Sequence, residues 1–316
     1  MRFGDHDHPE ERPAPAPGPE LDQWVRQYFR VHSRTFSLAT RLLPARVRQP
    51  VAVVYWYCRT IDNIADQRSL ELGTAAALDR LNHADEALDR CLAGRPDPEP
   101  LWLALAAVHT SWSLPRRPLF ELIEGARWDL ESRPVATMND LVAYSQRVAG
   151  SIGEMMLPFL VDLEAPRSPE LVTSARELGV AMQITNILRD VGEDLDVLGR
   201  TYLPAESWLA LGLAAGERPD PRDPRYRALV ESLMTEAETR YRIGLEGIGG
   251  LDRGARLGIR AAARTYREIL NEVRAAGYDN VSRRAVVPYP RKLARIVHDG
   301  YEARKRRLTL ADRGRP

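Results

Sequence analysis

Apolar positions recur along this chain at the three- and four-residue spacing of helices, and nowhere alternate as strands do. Leu21, Trp24, Val25, Tyr28 and Phe29 form the first such stripe. The stretch H-S-R-T-F-S, residues 32–37, then interrupts it with hydroxyls and charges. Residues 51–66 hold neither Gly nor Pro and are rich in Val, Ala, Tyr and Trp. Those residue types also suit a strand, but buried strands seldom exceed about eight residues, so length decides for helix. The helical pattern continues over 78–92, 101–113 and 118–130, with Pro115 and Pro118 marking a break. Gly150 and Gly153 interrupt a helical segment over 139–160, where a ligand or a second backbone can come close. A long helix is expected over 169–196, ended by Gly199. Residues 214–224 carry Gly216, Pro219, Pro221 and Pro224 and read as a surface loop. Helices over 226–245, 252–275 and 290–308 complete the series. No repeat of fixed period is present, so the expectation is one all-α domain built as a helical bundle.

Composition changes this picture little. The chain has 316 residues, 44% hydrophobic and 28% charged, enough to bury a core in one large domain. A net charge of +1 gives no global signal for nucleic acid. The charge is unevenly spread: residues 283–316 hold eleven Lys/Arg against three Asp/Glu. A basic end of this kind suits anionic lipid or an acidic partner, and equally a solvated helix end. Cys58 and Cys91 do not make a disulfide framework and fit a reduced, cytoplasmic compartment as small core residues. Residues 1–20 carry five prolines among charges, lack the apolar core of a signal peptide, and read as a disordered arm. The domain is expected over 21–308, with a short tail at 309–316. No stretch reaches the roughly 20 apolar residues of a membrane span.

The candidate chemistry lies in two acidic stretches. Asn186, Asp190 and Asp194 are four residues apart, twice over, with Glu193 beside them. On a helix, positions i and i+4 share a face. Upstream, Asp62 and Asp66 repeat the spacing, and Tyr55 and Arg59 lie on the same face. One such pair alone is commonly a solvated helix face. Two of them on facing helices make an acidic cleft that cannot hold its charge unaided. Magnesium ions bridged by a diphosphate would neutralise it, with Arg59 and Arg189 on the outer phosphate oxygens. The plain alternative for each arginine is an intrahelical ion pair worth about 0.3–0.5 kcal/mol. Chemistry suited to such a cleft is departure of diphosphate from an allylic carbon, with the resulting cation kept from water in an apolar tunnel. Phe36, Tyr57, Tyr144 and Phe159 are available to line it.

At this level the chain resembles the squalene/phytoene synthases, the head-to-head prenyl transferases. The pieces are H-S-R-T-F-S-L-A-T-R-L-L-P (32–44), Y-W-Y-C-R-T-I-D-N-I-A-D (55–66), I-E-G-A-R-W-D-L (123–130) and Y-S-Q-R-V-A-G-S-I-G-E-M-M (144–156). Then come Q-I-T-N-I-L-R-D-V-G-E-D (183–194), R-T-Y-L-P (200–204) and A-A-R-T-Y-R-E-I-L-N-E-V-R (262–274). The likeness implies an isoprenoid (terpenoid) synthase fold, a helical bundle around a central cavity. It implies that His32, Ser33, Arg34, Thr35, Tyr55 and Arg59 contact prenyl diphosphate, and that Gln183, Arg189 and Tyr266 bind substrate. Asp62 and Asp66 would hold magnesium, and Asn186, Asp190 and Asp194 the remaining metal, with manganese as a substitute. The four aspartates, Arg59 and Tyr55 would carry catalysis. The V-A-G-S-I-G stretch, 148–153, would line the tunnel at a helix bend. Four positions depart from the usual pattern: Asn63 for a second aspartate, Ser145 for cysteine, Ala126 for a larger residue, and Glu154 as in some thirty-carbon enzymes.

The implied reaction joins two identical prenyl diphosphates through a cyclopropyl-carbinyl diphosphate. The product would be phytoene from geranylgeranyl diphosphate, or dehydrosqualene from farnesyl diphosphate; squalene would need NADPH. Two other classes stand beside it. A non-catalytic assembly factor would be expected to lose its metal-binding acids, all of which are present. A cyclase acting on one prenyl diphosphate would pattern its acids differently. The expected partners are prenyl diphosphates and no nucleic acid, with peripheral contact at the inner face of a membrane; oligomeric state is not set by these features.

Overall fold

A computed structural model describes residues 43–161, 167–199, 201–214 and 217–285, with the backbone alone described for 66–72 and 198. Among these residues every regular element is helical. The first, α1 (Ala45–Leu72), begins earlier than expected, because Pro50 sits close enough to its start to be accommodated. It is followed by α2 (Thr74–Leu92), α3 (Pro100–Trp112) and α4 (Arg116–Leu130). Next, α5 (Met138–Ser145) opens on a capping box in which Thr137 and Asp140 satisfy each other's backbone N–H groups. It runs into a π-helical turn (Gln146–Gly150) and then α6 (Ser151–Leu160). The bend expected around 148–153 is this turn.

The longest element, α7 (Pro169–Leu198), carries the expected punctuation. The Ser168 hydroxyl accepts from the Leu171 N–H, Pro169 starts the first turn, and Gly199 closes the helix at φ 62°. A six-residue helix that the pattern did not announce, α8 (Ala205–Ala210), is followed by α9 (Pro224–Glu246) and α10 (Arg253–Ala275). The last two are capped by Asp223 and Asp252. The expected elements before residue 43 and after 285, including the basic run's greater part, lie outside the described residues. No helix among the described residues is long and apolar enough to cross a membrane.

Two apolar clusters hold the bundle. One gathers α1 to α4 with α6, where Leu81, Leu88, Leu105 and Leu119 are wholly buried. The other gathers α7 with α9 and α10, where Val180, Ile184, Leu188 and Tyr241 are wholly buried. The Tyr241 hydroxyl meets Thr185 at 3.1 Å. The π-turn and α6 join the two halves by lying directly on α7. That approach needs bare backbone: a Cβ on Gly153 would strike the Ala175 carbonyl, and one on Gly179 the Ala149 carbonyl. Glu154, one residue on, pairs with Arg176 of α7 at 2.7 Å, and Arg176 also reaches Glu121 at 2.8 Å.

Candidate active site

Where the two halves meet, a cavity opens between α1, α4, the π-turn and α7. From α1 it is lined by Tyr55, Arg59 and Asp62; from α7 by Gln183, Asn186, Asp190, Glu193 and Asp194. The helical spacing alone explains this. Both helices are regular through these stretches, so residues three and four apart turn to the same side. The remaining wall is apolar, with Leu122, Ala126, Val148, Ile152 and Met156 prominent. The side chain of Asp66 and the whole of His32, Ser33, Arg34 and Thr35 lie outside the described residues.

The charges in the cavity are closely paired. Arg59 donates to Asp62 at 2.7 Å. Arg189 does not line the cavity but grips Asp190 from behind with two nitrogens, at 2.8 and 2.6 Å. Burial works against this guanidinium's charge; the bonds and charge of Asp190, together with the nearby Tyr266 and Glu193, outweigh it and raise its pKa. Tyr266 stands beside Arg189, one step back from the cavity, and burial pushes its phenol pKa up. Tyr266, expected to bind substrate, is therefore placed against Arg189 and not in the cavity wall.

A residue outside the sequence expectations completes the cluster. Arg284 donates from Nε to Asp190 at 2.8 Å and from Nη2 at 3.3 Å, and its Nε lies 3.5 Å from Glu193. Asp190 thus accepts from two guanidinium forks. Arg284 comes from 94 residues away in the chain. It is held there because the segment after α10 crosses α7: the Gly192 N–H donates to the Asn280 carbonyl at 3.1 Å. Asn280, fully buried, also donates to the Leu188 carbonyl at 2.6 Å and accepts from the Tyr226 hydroxyl at 2.8 Å.

The donor set suits a hard divalent ion. Every candidate ligand offers oxygen: Asp62, Asp66, Asn186, Asp190 and Asp194. Asn186 is buried, lines the cavity, and its Oδ1 has no hydrogen-bond partner among the described residues. A buried carbonyl oxygen left so costs about 1–3 kcal/mol unless something accepts its lone pairs, which a cation does. Among the described residues, no three His, Cys, Asp or Glu side chains are gathered into a ready ion cage. The arginines hold Asp190 instead.

Matches to known proteins agree with this geometry. The family described as squalene/phytoene synthase matches residues 29–291. The chain belongs to the squalene/phytoene synthase family. Relatives include a phytoene synthase of Rhodobacter capsulatus, 37% identical over 90% of this chain and 82% of that one. Another is a phytoene synthase of Thermus thermophilus, 38% identical over 81% of this chain and 84% of that one. Among solved structures, a dehydrosqualene synthase in complex with ligand superposes with a TM-score of 0.76, at 32% identity, covering 90% of this chain and 96% of that one. The all-α isoprenoid synthase fold expected from the motifs is the fold present, and prenyl diphosphates are the substrates of the family.

Two expectations need correcting. Tyr57 and Phe159 do not line the cavity. Tyr57 is buried in the α1–α4 core, donating to the Leu119 carbonyl at 2.9 Å and meeting Trp102 edge-on. Phe159 packs edge-on against Trp112. Of the four aromatics proposed for the lining, Tyr144 is there, and Phe36 lies outside the described residues. Second, the basic end from 283 is not wholly given to lipid or solvent: its second residue, Arg284, holds Asp190. Cys58 does line the cavity, but burial, then the nearby Asp62, push its thiol pKa far up, so it is no nucleophile.

Proposed function

We propose that this protein condenses two molecules of geranylgeranyl diphosphate head to head, giving phytoene. The observation that carries the reading is the cavity itself: two acid-bearing helix faces share it with an apolar wall reaching to Ile152 and Met156. The names of the relatives from Rhodobacter capsulatus and Thermus thermophilus supply the chain length. The likeness to a dehydrosqualene synthase favours farnesyl diphosphate as the second reading.

The chain's own residues would act as follows. Arg59 on the cavity wall and Arg284 beside Asp190 carry the positive charge for two diphosphates, Arg189 acts on them through Asp190, and Gln183 and Tyr55 orient the nearest oxygens. Arg284 leaves Asp190 for phosphate as substrate enters, an exchange of one anionic oxygen pair for another. Asp62, Asp66, Asn186, Asp190 and Asp194 would hold magnesium. When bound, magnesium supplies the charge that stabilises the departing diphosphate. The apolar wall keeps water from the allylic cation, so that the second substrate's double bond is the nearest nucleophile. His32 to Thr35 are proposed to contact the diphosphate.

Incubation with geranylgeranyl or farnesyl diphosphate and magnesium, with and without NADPH, tests this. Phytoene from the first substrate, independent of NADPH, is the expected result. A thirty-carbon product formed at higher kcat/KM would move the assignment to the second reading. A cyclic product from one substrate molecule would refute both.

A further inference from the structure

A second polar cluster lines the same cavity and has no part in the scheme above. Asp129, at the end of α4, accepts a hydrogen bond on each carboxylate oxygen. Tyr202 donates to Oδ1 and Tyr144 to Oδ2, both at 2.9 Å. All three residues line the cavity. The two phenol rings stack at 5.0 Å and 19°, and Trp128 meets Tyr144 edge-on at 6.0 Å. Burial, then the charge of Asp129, push the Tyr144 pKa well above its ordinary value, so it remains a neutral phenol.

A phenol has one proton to donate and two lone pairs to offer. A carboxylate can only accept, so each tyrosine proton here is committed to Asp129. Each phenol oxygen is left with lone pairs, and the two hydroxyls also lie close enough to interact with each other. The carboxylate, meanwhile, is covered on both oxygens and is a poor trap for a carbocation. We propose that Asp129 is a positioning residue: by holding both phenol protons it makes Tyr144 and Tyr202 an acceptor-only wall that stabilises the allylic cation without capturing it. The inference rests on the condensation reading given above.

Asp129→Asn separates this role from simple packing. The amide keeps the shape and can keep both hydrogen bonds, but its NH2 must now donate to one phenol. That phenol's proton turns away from residue 129 and a positive end enters the cavity. Fixed dipoles aimed at developing charge are worth about 100-fold or more in kcat in other sites. The expected result is a fall in kcat of about 10-fold or more, with KM for prenyl diphosphate within about 2-fold and an unchanged thermal midpoint, the pattern of an interaction made in the transition state. In a Tyr144→Phe/Tyr202→Phe background, Asp129→Asn should add less than about 2-fold, because its effect passes through those hydroxyls. Near-normal kcat in the single variant overturns the proposal, as does an undiminished effect in the double-Phe background. A parallel fall in kcat and thermal midpoint assigns Asp129 to structure and overturns it too. A wild-type protein that makes no condensation product sinks the functional reading itself, and this inference with it.

Discussion

Gly192→Ala is the most informative single change outside the acids. Gly192 lies in the middle of α7, two residues past Asp190, and the chain after α10 crosses directly over it. A Cβ there would run into the carbonyl carbon and oxygen of Val281. Backbone cannot rotate aside as a side chain can, so the segment must lift. Overpacking of this kind costs about 1–3 kcal/mol. Loss of the Gly192–Asn280 hydrogen bond adds about 0.5–1.5 kcal/mol. Alanine's better helix propensity returns about 1 kcal/mol. The net is a destabilisation of about 0.5–3.5 kcal/mol, or roughly 1–7 °C in thermal midpoint for a chain of this size. Activity should suffer more than stability, because the segment that lifts carries Arg284, and kcat/KM should fall at least about 10-fold. Gly199→Ala is the matched control. Its φ of 62° is strained for alanine, at about 1–2 kcal/mol, but among the described residues no atom beyond its chain neighbours and its own helix's backbone lies within 4 Å of a Cβ there. It should lose comparable stability and keep its activity within about 2-fold. Melting curves and steady-state kinetics on both variants decide the matter. Equal activity in the two variants would refute the argument that Gly192 exists to seat the crossing segment.

Three further outcomes are expected. Asp190→Asn and Asp62→Ala should each cut turnover by about 100-fold or more while far-UV circular dichroism stays helical; near-normal activity in magnesium would discard the two-helix acid site. Arg284→Ala should raise KM for prenyl diphosphate by about 10-fold or more, since a charge-assisted hydrogen bond is worth about 1.5–3 kcal/mol; an unchanged KM would limit Arg284 to holding Asp190 in the empty site. Chelation should abolish turnover, and magnesium titration should restore it with Asn186→Leu needing far more ion than wild type; equal requirements would remove Asn186 from the ligand set.

What the sequence disclosed follows the range of its physics. Helix periodicity is local, so α1 and α7 and their acid faces could be placed from spacing alone, and Gly199 marked where α7 stops. The pairing of the two faces came from the duplicated spacing, since one acidic stripe has no need of a second. Arg284 was missed because nothing local ties it to Asp190; it was counted within a basic end of the chain. The signal available was Gly192, a glycine inside a strong helix, which marks a close crossing without saying by what. Tyr57 and Phe159 were misassigned for the opposite reason: an aromatic at helical spacing reads alike whether it faces a core or a cavity. Asp129 stood in a quoted motif without a role, and its tie to Tyr144 and Tyr202 spans 15 and 73 residues.

The crossing and the arginine are one device, and helix geometry says why. Successive residues turn about 100° around a helix, so Gly192 lies about 200° from Asp190, nearly on the far side of α7. The crossing segment touches α7 there, at Asn280 and Val281. Three residues later, Arg284 holds Asp190. Three residues at full stretch span about 10 Å; residues 281–283 bend, and the arginine side chain adds the reach needed to pass the half-circumference that separates the two sides. The segment therefore wraps α7, with one end fixed on the helix's back and the guanidinium delivered to its acidic front. Asn280 fixes the first end through two buried hydrogen bonds. The register of the wrap, and so the reach of Arg284, is set by where the backbone can touch α7. The displaced segment cannot be made good by another cation at 284: Arg284→Lys, shorter and with one point charge in place of the fork, should not rescue Gly192→Ala. If it did, the wrap would be a passive linker and the arginine's position would be set by the charge of Asp190 alone.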